Sequence, residues 1–102
     1  MPTLKVVVPH RLGADQAAAR IAAGISQFQP TFGTMATLER ADWVEDTLMF
    51  TIGFPGSRVE GTIAVADDNA TIEAALPWFL TPFAGKARRM IEQYAGALLA
   101  RR

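Results

Sequence analysis

The sequence predicts an α+β fold, a five-stranded antiparallel sheet carrying two helices on one face in the order β-α-β-β-β-β-α. Three observations predict it. Four strand-like runs between residues 37 and 76 are separated by short turn clusters, Glu45-Asp46-Thr47, Pro55-Gly56-Ser57 and Asp67-Asp68-Asn69, and connections this short pair neighbouring strands antiparallel. Two other segments, before and after these runs, repeat apolar residues every three or four positions, the helical period. Of the 102 residues 51 are apolar and 18 of those are Ala, leaving 33 larger apolar side chains. That fills one layer of helix on sheet and one domain, residues 1–102.

The elements follow in order. Thr3 to Val8 is rich in β-branched residues, which suit a pleated surface, and Pro9, lacking a donor, ends the strand or lies at an edge. Gly13 is a suitable N-cap and Asp15 falls in the first turn, where the helix dipole favours negative charge. Ala14, Ala17, Ala18, Ile21, Ile25 and Phe28 make the apolar stripe of this helix, with Arg11, Gln16 and Arg20 off it; Gly24 weakens it, and Pro30 and Gly33 end it. The Ala-rich inner face is shallow and suits close packing on a sheet.

Thr37 to Trp43 is the next strand. Leu48, Phe50, Ile52 and Phe54 then alternate with Met49, Thr51 and Gly53, giving a strand with one bulky buried face. Val59, Gly61, Ile63 and Val65 alternate with Glu60, Thr62 and Ala64, and Thr71 to Leu76 is the last strand. The opposite sheet face carries Thr, Glu and Arg and can meet water. Thr81 is placed as N-cap of the closing helix with Pro82 at its first position, where the missing donor costs nothing. Its stripe is Phe83, Ala87, Met90, Ile91, Tyr94 and Leu98, with Lys86, Arg88 and Arg89 off it; Arg101 and Arg102 oppose the negative pole of the helix.

Ten Lys and Arg balance ten Asp and Glu, so the chain lacks the basic excess of a nucleic-acid binder. The absence of cysteine excludes disulfides, thiolate metal sites and cysteine nucleophiles. The N-terminal apolar run is too short for a signal-peptide core, and Ala74–Leu80 is far short of the roughly 20 residues that span a bilayer. The expectation is a soluble, cytoplasmic protein. Charge is uneven along the chain: residues 39–73 sum to −6 and residues 74–102 to +4. Solvated acids on strands and solvated bases on the last helix account for this; a basic helix face meeting the acidic sheet of a second copy is the sharper reading.

No catalytic set is visible. His10 is the sole histidine, with Asp15 the nearest acid in sequence, and no nucleophile-elbow pattern surrounds Ser26, Ser57 or Tyr94. A role for His10 in satisfying polar groups at the strand-to-helix corner competes with a chemical one. The Asp-rich turns lack the alternating ligands of a calcium loop and are explained by local turn hydrogen bonds. Phosphate-binding Gly loops are absent. No cofactor or metal is expected. The segment Leu76-Pro77-Trp78-Phe79-Leu80-Thr81-Pro82-Phe83 stands out, because it crowds large apolar side chains around two prolines where sheet hands over to helix. It is either a rigid corner pinning the helix or an apolar lip for a partner. Trp78 and Phe79 are neighbours, which in an extended segment point opposite ways.

His10-Arg11-Leu12-Gly13, Trp43 to Phe50 with its acidic turn, Gly61-Thr62-Ile63-Ala64-Val65 with Asp67-Asp68, and above all Leu76-Pro77 followed by Thr81-Pro82-Phe83-Ala84-Gly85-Lys86 resemble the polyhydroxyalkanoic acid system proteins, small bacterial proteins whose genes lie near those for polyester storage. The resemblance runs over nearly the whole chain; an Ala-rich first helix and the bulky Phe54-Pro55-Gly56 turn depart from it. It implies a role around polyester granules and carries over no catalytic residue. The element order with a long last helix also resembles a shortened helix-grip fold, an analogy that does not fix function. The leading expectation is a non-enzymatic accessory protein that binds a hydrophobic granule surface or a protein partner through Trp78, Phe79, Leu80 and Phe83, with Tyr94 and His10 as further candidates. The alternative is a small hydrophobic-ligand binder with a pocket between the last helix and the sheet, lined by Leu48, Phe50, Ile52, Met90 and Tyr94. A homodimer fits either; an enzyme using His10 fits least.

Overall fold

A computed structural model describes residues 3–27 and 36–99, apart from the side chain of Leu80. The elements are β1 (Thr3–Pro9), α1 (Ala14–Ser26), β2 (Thr37–Val44), β3 (Thr47–Phe54), β4 (Ser57–Val65), β5 (Asn69–Ala75), a 3-10 helix (Trp78–Phe83) and α2 (Ala84–Leu98). The five strands form one antiparallel sheet in the order β1-β5-β4-β3-β2. The α+β class, the five-stranded antiparallel sheet and the order of the strands and two α-helices along the chain are those the sequence predicts. Phe28, Pro30, Gly33, Arg101 and Arg102 lie outside the described residues.

Local chemistry sets the connections. Gly13, at φ 78°, is the N-cap of α1, and Asp67 Oδ1, in the turn between β4 and β5, accepts from Ala14 N at 3.2 Å, satisfying one of the helix's unpaired donors. Pro55-Gly56 joins β3 to β4 with Gly56 at φ 77°, the Pro-Gly pattern of a type II turn. Between β2 and β3 the non-glycine Glu45 takes φ 56°.

The core lies between the sheet and the two helices. One lateral row runs from Val6 through Ile72, Ile63 and Leu48 to Trp43, because these residues are register partners across successive strands. Val6 and Leu48 are each 1% exposed, and Ala17 and Ile21 of α1 pack in the same cluster with Leu4, Val8, Val65, Ala70, Leu76 and Leu99. The strand against which α2 lies is β1. Arg88 Nη1 of α2 donates to Lys5 O at 2.7 Å. The two helices meet where the buried Gly24 lets Leu98 close onto the α1 backbone. Arg20 Nη1 donates to Leu98 O at 3.4 Å, so a base from α1 serves the negative end of α2.

Three expectations are corrected. Thr81 is not the N-cap of the closing helix: a 3-10 helix begins at Trp78 and includes Pro82, and α2 starts at Ala84. Proline's fixed φ suits either helix, and the tighter winding starts the helical path earlier than the Thr-Pro signal suggests. The stripe of α2 is also rotated. Ala84, Ala87, Ile91 and Ala95 pack on the core, whereas Phe83, Met90 and Tyr94 are exposed. Small residues let α2 approach β1 closely, so the bulky ones stand on its flank. Finally, β3 is buried on both faces in part. Phe54 is exposed, yet Thr51 and Gly53 are buried on the helix-free face. A bulge between Leu38 and Arg40 makes Glu39 the extra residue of β2. Its carboxylate lies over Gly53, where a side chain would stand, and pairs with Arg58 Nε at 2.9 Å.

At Gly61 a Cβ would run into the Glu73 carbonyl and the Phe50 ring. Backbone cannot yield as a side-chain tip does. Gly61→Ala is expected to lower unfolding stability by about 1–3 kcal/mol, read from urea denaturation; an unchanged midpoint would contradict this packing.

Candidate functional site

The β5 strand delivers its last core side chain at Leu76, which is 7% exposed, and Pro77 then turns the chain into the 3-10 helix. From there the apolar residues face out. Trp78 is 78% exposed, Phe79 46% and Phe83 59%. Successive residues of a 3-10 helix are about 120° apart rather than opposed as in a strand. Trp78 and Phe79 therefore do not point opposite ways as an extended segment would require; their rings meet edge to face, with centroids 5.8 Å apart. Edge-to-face contact holds both rings in a defined pose without burying them. The exposed apolar line continues along α2 as Met90 and Tyr94, with Lys86 and Arg89 exposed on the same helix.

The other candidates sit elsewhere. Tyr94 OH donates to Gly24 O at 3.4 Å, so its polar end is turned to α1. His10 lies at the opposite end of β1 from the aromatic corner. The register pairs Thr3 with Ala75 and Pro9 with Asn69, which separates the two by roughly 20 Å along the strand. His10 is 7% exposed; its backbone N–H donates to Asp68 O at 2.9 Å and its Nδ1 accepts from Leu12 N at 3.1 Å. Acceptance at Nδ1 puts the ring proton of the neutral form on Nε2, a buried atom without a hydrogen-bond partner among the described residues. These bonds make His10 the structural peg of the β1-to-α1 corner.

Two of the clefts on the surface lie away from the last helix. One, about 470 Å³, opens at the start of α1 between Leu12, Gly13, Gln16 and Asp67. The other, about 310 Å³, lies over Arg40, Met49, Thr51, Glu60 and Thr62. Neither is lined by a residue of α2. Among the described residues no cluster of three or more His, Asp or Glu side chains converges as a metal site, and no helix is long and apolar enough to cross a membrane.

The bulge ion pair over Gly53 had one trace in the sequence, a glycine inside a strand pattern. The outward turn of the corner aromatics had none, because it follows from helical phase at residues 78–83.

The sequence profile of the family described as "Putative polyhydroxyalkanoic acid system protein" matches residues 4–99. Comparison with curated proteins gives no match. Among solved structures, the solution structure of an Arabidopsis thaliana member of the major latex protein family is similar, at 16% sequence identity with a TM-score of 0.40, over 94% of this chain and 94% of that one.

If the corner is a lip rather than a pin, its rings contribute little to folding. Trp78→Ala is expected to change stability by less than about 0.5 kcal/mol. Leu76→Ala, two residues earlier, should cost about 2–4 kcal/mol in the same urea titration. Equal losses from the two would make the corner a structural pin.

Proposed function

The chain belongs to the polyhydroxyalkanoic acid system protein family, and we propose that it is a non-enzymatic accessory protein that docks on the hydrophobic surface of polyester granules through the corner at residues 78–83. The observation that carries this reading is the 78% exposure of Trp78 beside exposed Phe79 and Phe83. Large aromatic side chains left in water on one contiguous segment mark a surface meant to be covered. Tryptophan is well suited to such a boundary, since its ring is apolar and its indole N–H can meet a carbonyl, which an aliphatic polyester supplies in quantity. The family's connection to polyester storage supports a granule as the surface and granule association as the place in the cell.

The geometry favours this over a ligand pocket beneath the last helix. Met90 is 53% exposed, and Tyr94 directs its hydroxyl to the backbone of α1. The backbone N–H and Nδ1 of His10 are engaged at the β1-to-α1 corner, about a strand length from the aromatic residues, and no acid is hydrogen-bonded to its ring among the described residues, which supports the non-enzymatic reading.

The test is co-sedimentation of the purified chain with washed polyhydroxyalkanoate particles. Binding should persist in high salt, since apolar burial is not screened as charge is. Trp78→Ala combined with Phe83→Ala should weaken the affinity for the particles about tenfold or more, the loss of at least roughly 1.4 kcal/mol of apolar contact. Absence of binding at every salt concentration, or undiminished binding by the double variant, would overturn the proposal.

A further inference from the structure

The sheet has two edges, and they are treated differently. At the β1 end α2 packs against the strand, and its Arg88 donates to Lys5 O at 2.7 Å. At the other edge, β2 pairs with β3 alone among the described residues, and every residue from Glu39 to Val44 is exposed. An edge strand presents unpaired N–H and C=O groups that template a further strand. Proteins that guard such an edge place repelling charge along it. Here the charge is of both signs and symmetric about a small residue. Arg40 and Asp42 flank exposed Ala41 and pair with each other at 2.6 Å, with side chains 52% and 59% exposed.

That arrangement selects a register. Outward-facing backbone groups alternate along a strand, so two identical strands meeting antiparallel about a two-fold axis must be centred on a residue. Centring on Arg40 sets Arg against Arg; centring on Asp42 sets Asp against Asp. Like charges directly opposite are destabilising. Centring on Ala41 sets each Arg40 against Asp42 of the other copy and brings the two small Ala41 side chains together at the axis. Trp43, at the open end of the core's lateral row and 37% exposed, then lies beside the seam.

We propose that β2 is a docking edge for a second copy of this chain, paired antiparallel about Ala41, so that two five-stranded sheets continue into one and the Arg40–Asp42 pair within each strand is exchanged for reciprocal pairs between strands. The bulge at Glu39 keeps the shared ladder short, so the association is weak and reversible. It uses none of the residues of the aromatic corner and stands apart from the granule reading.

Sedimentation velocity tests the register. The native chain should move from monomer to dimer mass as its concentration rises towards about 1 mM. Arg40→Asp alone and Asp42→Arg alone each face like charges with like across the axis, and each should weaken self-association about tenfold or more. An equimolar mixture of the two variants should recover the dimer, since an all-acidic strand then meets an all-basic one. Both variants have lost the pair within the strand, so its loss cannot produce the recovery. Ala41→Cys, an exposed position in a chain without other cysteine, should give a disulfide-linked dimer on mild oxidation. A native chain that stays monomeric throughout, variants that associate like the native chain, a mixture that fails to associate, or an Ala41→Cys chain that stays monomeric under oxidant would each overturn the proposal.

Discussion

The pairing of β1 with β5 is the constraint from which the rest of this molecule follows. It joins the first strand to the last through seven registered positions, Thr3 with Ala75 to Pro9 with Asn69. The four strands from β2 to β5 are joined by tight turns and need little closure entropy to meet, whereas β1 must be brought back across the chain. Once it is, Val6 stands beside Ile72 and the buried row is complete. The two helices that flank the meander in sequence then share one face. With β1 at one end of the sheet and α2 laid against it, the opposite end is left to β2. With Ala75 paired to Thr3, the chain leaves the core at Leu76, and the aromatic residues that follow have no interior left to enter.

The small residues of α2 make this arrangement possible. Ala84, Ala87 and Ala95 turn to the core with Ile91. A helix that approached with Phe83, Met90 and Tyr94 would stand further off, and Arg88 would not reach the Lys5 carbonyl. Close approach therefore puts large apolar side chains on the exposed flank, where they extend the line that begins at Trp78. Burial and exposure on this helix are two results of one packing choice.

Much of the fold was legible. The turn clusters and the two-residue period of 48–54 and 59–65 identified the meander, and Gly13 with Asp15 identified the start of α1. Strand order was not legible, because no local pattern says that residues 3–9 return beside residues 69–75. Hydrophobicity alone ranks Phe83, Met90 and Tyr94 above alanine and so predicts the wrong phase for α2, while helix-to-strand distance favours alanine. Of the candidate site, the segment 76–83 was picked out by its composition, but its conformation was not. A strand-like reading put Trp78 and Phe79 on opposite sides, and the 3-10 turn brings their rings together. His10 was singled out by rarity, and its hydrogen bonds place it at the β1-to-α1 corner, far from the aromatic residues.

Trp78 stands in water in the free protein, and the proposed granule contact requires that it leave water there. Its own fluorescence reports this most directly. With Trp43→Phe removing the other indole, emission should be that of a solvated tryptophan and should be quenched readily by iodide. Adding polyester particles should shift the emission to shorter wavelength and protect it from the quencher. Emission already blue and protected in the free chain, or unaltered when particles are present, would contradict the account.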